Sequence, residues 1–159
     1  MTFDLPLAAA SPFLEWQPGE TFFSLCSRHH RFWGHSTSAR SAEILFGGRR
    51  MGTHHDLPSA LDAFVLWTEG RLGAADHLAR DHTLLRYYRP FVSATEVDAA
   101  VRVMRGPSVA HLKFRLGLLT SRFRADHPLK ACASCMRADH VRSGWVYWHM
   151  QHQYPGVWI

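Results

Sequence analysis

The 159-residue chain has few cysteines and no long apolar run, and both shortages exclude classes of protein. Three cysteines are an odd number, and two of them form Cys132-x2-Cys135, which favours metal binding in a reducing compartment over a disulfide framework. No apolar run approaches the roughly 18 residues that span a bilayer. The apolar stretch near the N-terminus follows Asp4 and lacks the basic residues that begin a signal peptide. We therefore expect a cytoplasmic protein.

Sequence motifs of common catalytic sites are also missing. The chain contains no H-E-x-x-H, no G-x4-G-K-S/T, no second carboxylate cluster and no H-N-H-type arrangement. Residues 47–56 hold three glycines and two arginines, and we interpret them as a flexible surface loop. One enzymatic alternative remains open, a metal-dependent nuclease or hydrolase that uses Asp139, His149 and His152 around an open metal position. The leading expectation is a non-enzymatic protein.

Lysine is scarce, because only two of the 18 basic residues are lysines and the rest are arginines. The formal net charge is +5 and the isoelectric point is about 9.6. This balance favours a polyanionic partner only modestly, since many basic domains simply have a solvated face. With 47% hydrophobic and 19% charged residues, the chain is typical of a globular domain.

Apolar periodicity predicts a mainly α-helical domain of five or six helices. The first helix should open at residues 18–21 and end at Gly34, with Cys26 on its buried stripe as a small core residue. The second should be capped by Thr37 or Ser38 and end at Gly47.

A third helix, capped by Asp56, and a fourth over 74–81 flank the turn at 70–73. Together they have the outline of a helix-turn-helix, which an ordinary helical hairpin shares. Tyr87 and Tyr88 lie in an aromatic, basic connector over 82–91, where they can stack on bases or pack between helices.

Two more helices are predicted before the tail. The first has a start resembling a capping box over 95–98 and ends at residues 106–107. The second is capped by Ser108 and carries apolar residues at helical spacing as far as Phe123. Its other face is basic and suits either phosphate contacts or solvent.

The tail carries the metal hypothesis. A short strand over 129–132 should lead into the Cys132-x2-Cys135 knuckle of a partial zinc ribbon. His149 and His152 would share a helix face and are candidates for the other two ligands, although the H-x2-H spacing is tighter than that of zinc fingers. The alternative places both remaining ligands beyond Ile159. We accordingly divide the chain into a helical domain, 1–128, and a partial zinc-finger segment, 129–159.

Several stretches resemble the TniQ/TnsD family of transposon target-selection proteins. The supporting stretches are residues 19–30, 43–47 and 82–91. The specific one is the tail, where the family pattern of C-P-x-C, Asp and G-x-x-Y-W-H-R-x-H-Q-x-P-G-V meets Cys132-Ala-Ser-Cys135, Asp139 and the run from Gly144 to Val157. Ala133 departs from the usual proline of the knuckle.

The resemblance implies an N-terminal TniQ domain that is truncated within its zinc-binding segment. In the family a later C-x-x-H completes the site, so Cys132 and Cys135 would be zinc ligands whose partners follow Ile159. His149 and His152 would then be structural, or His152 would serve as a substitute ligand.

The function implied by the resemblance is that of a DNA-targeting adaptor. Such a protein recognises a target site, directly or through a guide-RNA effector complex, and recruits the transposon's AAA+ ATPase and transposase; a homodimer is compatible with this role. A zinc-containing protein or RNA interaction module is the other alternative. The candidate contacts are basic residues near the helix pair and the aromatic connector: Arg28, Arg31, Arg71, Arg80, Arg86 and Arg89.

Overall fold

The computed structural model describes residues 14–52, 54–118 and 128–159, and this part of the chain is mainly helical. The described α-helices are α1 (Phe22–Phe32), α2 (Ser38–Phe46), α3 (Leu61–Trp67), α4 (Ala75–Asp81), α5 (Leu85–Tyr88), α6 (Ala94–Arg105), α7 (Leu112–Arg115) and α8 (Ala133–Ser143). Short 3-10 turns cover Arg89–Phe91 and Met150–Gln153. Strand pairing in the described ranges is limited to an isolated antiparallel bridge between Glu20 and His149.

One apolar core joins helices α1 to α7. The Phe22 ring of α1 meets the Phe64 ring of α3 edge-on, with ring centroids 4.8 Å apart. The Phe46 ring of α2 stacks on the Phe64 ring, with centroids 5.9 Å apart. Leu78 and Met104, from α4 and α6, are fully buried in this core. Burying side chains of this size is the dominant stabilising term of such a domain. None of the described helices has the length and apolarity to cross a membrane.

The first two helices confirm the sequence-based predictions. Thr21 caps α1, its hydroxyl oxygen accepting from the Ser24 N–H, and Cys26 is half-buried against the core. Thr37 caps α2 in the same way, and Gly47 ends it in the left-handed conformation at φ 74°. That conformation strains residues with a Cβ, which explains why glycine marks the end of the helix.

Three predicted helix starts were wrong. Asp56 does not cap α3, because its carboxylate accepts from the Leu57 N–H and pairs with Lys113 at 2.7 Å, and α3 begins only at Leu61. The capping box of α6 consists of Ser93 and Glu96, two residues before the predicted one. The helix predicted from Ser108 begins only at Leu112. Its remaining part, after residue 118, lies outside the described residues.

The strand predicted over 129–132 is absent. Residues 128–132 form no regular element, and α8 begins directly after Cys132. The partial zinc-finger segment over 129–159 stays a prediction. The helix pair α3 and α4 is present, each helix having seven residues. Its use as a DNA-reading helix-turn-helix stays a prediction.

Candidate functional site

The tail is joined to the start of α1 by a short backbone pairing. The Thr21 N–H donates to the Trp148 carbonyl at 3.0 Å, and the Met150 N–H donates to the Gly19 carbonyl at 2.7 Å. The Trp148 N–H donates to the Ser24 hydroxyl at 2.9 Å. These contacts link residues more than 120 positions apart in sequence, and they fix the tail against the N-terminal helix.

Asp139, on α8, anchors the interior of this junction. Its side chain is almost fully buried, and its two oxygens lie 2.8 Å from Arg142 Nη2 and 2.6 Å from His149 Nε2. Tyr147 stacks on His149 with centroids 4.4 Å apart, and its hydroxyl donates to the Pro18 carbonyl. A buried carboxylate needs partners for its charge, and we therefore interpret Asp139 and these partners as a structural ion-pair network. Both carboxylate oxygens are engaged, so the arrangement does not favour the metal-dependent enzyme hypothesis.

Arg28 and Glu20 form a second buried ion pair. Arg28 Nε and Nη2 donate to the two carboxylate oxygens of Glu20 at 2.7 and 2.6 Å, and Nη2 also donates to the Glu15 carbonyl. The arginine residue is 4% exposed. A bidentate pair of this kind satisfies a charge that would otherwise be costly to bury. Its guanidinium therefore faces the interior.

The two cysteines lie at the start of α8. Hydrogen bonds lower the pKa of the Cys132 thiol to about 7. The largest contribution comes from the Ser134 hydroxyl, which lies 2.9 Å from Cys132 Sγ. The pKa of Cys135 is raised, chiefly by its hydrogen bond to Cys132. A thiol with a lowered pKa is partly deprotonated near neutral pH, and the thiolate is the form that binds metal ions.

His152 is brought to the same place. Its Nε2 lies 3.7 Å from Cys135 Sγ, while His149 is directed to Asp139 instead. Zinc bonds of about 2.3 Å to sulfur and about 2.1 Å to nitrogen, at a tetrahedral angle, separate the two ligand atoms by roughly 3.6 Å. Cys135 and His152 therefore lie at the separation expected of two ligands of one zinc ion. The described ranges hold no group of three or more potential ligands set for a metal ion.

The six candidate arginines are distributed over several helices. Arg71, Arg80 and Arg89 are paired with Glu69, Asp98 and Asp81, at 2.8, 2.5 and 3.4 Å. Arg31 and Arg86 are exposed, and neither takes part in an ion pair within the described residues. The structure brings Arg86 and Arg89 together on consecutive short helices.

An aromatic cluster lies beside Arg86 and Arg89. The Tyr87 ring lies 5.7 Å from that of Phe91 and 5.1 Å from that of Tyr154. Phe91 is 74% exposed. Burial raises the pKa of the neighbouring Tyr88 to about 12, so Tyr88 serves packing. The sequence analysis named Tyr87 as a residue that can stack on bases, but it did not name Phe91 or Tyr154 for this role. For Phe91, the available signal was the density of aromatic residues over 82–91.

The exposed side of α4, the second helix of the predicted pair, is largely acidic. Asp76 and Asp81 are exposed or half-exposed, and His77 pairs with Asp81 at 3.0 Å. Arg80 is tied to Asp98 and to Asp76. Carboxylates repel phosphates, so this face suits DNA less well than the aromatic cluster does.

Comparison with known proteins gives a consistent result. The sequence model of the TniQ family matches residues 11–159. The Transposon Tn7 transposition protein TnsD of Escherichia coli is 26% identical over 140 residues, which cover 87% of this chain and 27% of that protein. The chain therefore spans about a quarter of the length of this relative. Because the family match extends over nearly the whole chain, the protein belongs to the TniQ family.

Proposed function

We propose that the chain is a DNA-targeting adaptor module in transposition. In this role it recognises a target site or a target-bound complex, including one that carries a guide RNA, and recruits the transposon's ATPase and transposase without doing chemistry itself. Membership of the TniQ family and the similarity to a transposition protein support the proposal.

One observation carries the DNA-binding part of this function. Arg86 and Arg89 flank the cluster formed by Tyr87, Phe91 and Tyr154, which we call the aromatic surface. Phe91 is the exposed ring of this cluster, and Tyr87 and Tyr154 are half-buried. Arginines beside an exposed ring can bind a nucleic-acid strand, because the cations contact phosphates and the ring stacks on a base. Arg86 has no carboxylate partner in the described ranges and is available for such a contact.

Burial removes Arg28 from the set of arginines that the sequence proposed as DNA or partner contacts. Arg28 is enclosed by Glu20 and the Glu15 carbonyl, so we assign it to the structure. Arg71, Arg80 and Arg89 would exchange a surface carboxylate for a phosphate, an exchange that costs little because exposed ion pairs are weak. Arg86 is the strongest member of the set for DNA, because it lies beside the aromatic surface, whereas Arg31 lies on α1.

We also propose that the module holds a structural zinc ion. Cys132 and Cys135 would bind it, with His152 as a third ligand, because its nitrogen lies at the separation from Cys135 expected of two ligands on one ion. Such an ion would fix the start of α8 to the 3-10 turn at Met150–Gln153. It contributes folding stability and no catalytic step.

Fluorescence anisotropy with labelled duplex and single-stranded DNA tests the DNA-binding proposal. Phe91→Ala should weaken binding by about fivefold or more if a base stacks there, and Arg86→Glu should weaken it further and reduce its salt dependence. Leu66→Ala and Arg102→Glu are matched controls, since both residues are exposed elsewhere on the surface. Unchanged DNA binding by both test variants contradicts the assignment. Preference for RNA of the same sequence would instead favour the RNA-module alternative.

A further inference from the structure

A groove separates α1 from α8, and Tyr147 is among the residues that line it. Its cavity volume is about 480 Å³, and Ser27 and Arg31 of α1 face Met136, His140, Trp145 and Val146 across it. We call it the α1–α8 groove. None of these residues belongs to the aromatic surface proposed to bind DNA.

The walls of the groove include exposed apolar side chains. Met136 and Val146 are 39% and 41% exposed. At one end, Phe32 is 46% exposed and its ring lies 6.5 Å from that of Trp145. Contiguous exposed side chains of this kind mark interaction sites on folded proteins.

The same walls lack exposed negative charge. Helix α1 contains no carboxylate, and residues 128–159 contain only Asp139, which is 2% exposed and paired with Arg142 and His149. Arg31 and His140 line the groove and are exposed, and Arg137 is exposed on α8 as well. The groove is therefore lined by apolar side chains and by the exposed Arg31, without an exposed carboxylate, which is complementary to an acidic segment with an apolar side chain.

The groove is also preformed. Its floor contains Arg28, which Glu20 holds by two hydrogen bonds and whose guanidinium lies 5.7 Å from the centre of the Trp145 ring. One wall is the irregular run 145–148, in which the Val146 N–H and carbonyl make no hydrogen bond to the described residues. An extended peptide can pair with such free main-chain groups, as in strand addition to a sheet edge.

We propose that the α1–α8 groove binds an extended acidic peptide segment of a partner protein, with one aliphatic side chain seated between Met136 and Val146. The apolar lining and the free main chain of Val146 suit a peptide better than a nucleic-acid strand, whose recognition uses stacking. The inference rests on the partner-binding part of the proposed function, to which it assigns a surface, and it does not require DNA binding.

The test uses fluorescein-labelled twelve-residue peptides and the 159-residue chain in anisotropy titrations. One peptide has Asp and Glu residues around a central Leu, a second replaces that Leu with Ser, and a third replaces the acidic residues with Lys. The first should bind, the second should bind at least about fivefold more weakly because the anchor is lost, and the third should not bind. Arg31→Glu and Met136→Glu should each weaken the first peptide by a similar factor.

Control variants separate this outcome from the DNA-binding proposal. Arg102→Glu reverses a charge on α6 and Val141→Glu changes an 86% exposed residue of α8 outside the groove lining, and neither should alter peptide binding. Arg86→Glu should weaken DNA and leave the peptide unaffected. Equal binding of the first peptide to the parent chain and to Met136→Glu overturns the inference. It is likewise overturned if Met136→Glu weakens an oligonucleotide while the acidic peptide fails to bind, since the occupant is then nucleic acid.

Discussion

His149 Nε2 lies 2.6 Å from Asp139 Oδ2, and this contact joins α8 to the extended segment that pairs with the start of α1. The segment after α8 is therefore attached both to Asp139 and to the residues at the start of α1, including the backbone of Gly19 and Thr21. Through these attachments the candidate zinc ligands at one end of α8 are held in a fixed relation to α1. The α1–α8 groove depends on the same attachments for its shape.

Removal of the Asp139 carboxylate should loosen the tail. Asp139→Ala leaves His149 and Arg142 without their partner, and breaking a buried charged set of this kind costs about 3 kcal/mol. Urea unfolding followed by tryptophan fluorescence gives the change in the free energy of unfolding. Asp98→Ala is the matched control, because its ion pair with Arg80 is exposed and should contribute less than about 1 kcal/mol. Equal losses in the two variants would contradict the role given to Asp139.

Gly52 should tolerate no side chain. Its φ is 65°, and a Cβ placed there would lie 2.4 Å from the Phe46 ring, which belongs to the buried core. Gly52→Ala should destabilise the protein by about 3 kcal/mol, since backbone strain and a core clash add.

Gly47→Ala isolates the strain component, because Gly47 has φ 74° and the space that a Cβ would occupy there is open. This second variant should lose about 1 kcal/mol. Thermal unfolding of the two variants separates the contribution of backbone strain from that of the clash with Phe46. A Gly52 variant as stable as the Gly47 variant would argue against the clash.

The fold could be predicted from the sequence where the signals are local. Thr37 and Gly47 delimit α2 by capping chemistry that involves only a few neighbouring residues, and both were identified. Asp56 misled the prediction because its partner, Lys113, is 57 positions away. A carboxylate with a distant cation is no longer free to cap a helix, and no local pattern reveals that competition.

The metal ligands stay a prediction, and the geometry around them could not be predicted from the sequence. The sequence proposed Cys132, Cys135 and His152 as one group of candidate ligands, and in the structure His152 Nε2 lies 3.7 Å from Cys135 Sγ. The bridge between Glu20 and His149 depends on residues at opposite ends of the chain. The burial of Arg28 follows from that junction, which explains why sequence alone placed this arginine among the surface contacts.

His29 should make stability dependent on pH. Its ring nitrogens are buried without a hydrogen-bond partner among the described residues, and burial, followed by the charges of His35 and His30, lowers its pKa from 6.5 to about 4. The unfolded chain therefore takes up the proton first as the pH falls. Stability is fully present above pH 6.5 and is lost between about pH 6.5 and pH 4, by an amount on the order of 2 kcal/mol.

His29→Leu should remove this loss, because leucine has no proton to gain and needs no hydrogen-bond partner. Urea midpoints at pH 7.5 and pH 5 measure the difference for the variant and the parent chain. His54→Gln, at an exposed position, should retain the parental slope. A His29 variant with the parental slope would show that other groups cause the acid sensitivity.

The three thiols should differ in reactivity, and zinc should protect two of them. At pH 7 a lowered pKa, due mainly to Ser134, makes Cys132 the first to react with iodoacetamide, whereas burial raises the pKa of Cys26 and slows its alkylation. Zinc added beforehand should block Cys132 and Cys135 together and leave the rate at Cys26 unchanged, as peptide mass spectrometry can follow. His152→Ala should weaken this protection by about 10-fold or more if His152 is a ligand. His54→Ala is the control, and full protection in the His152 variant would show that zinc is held without this histidine.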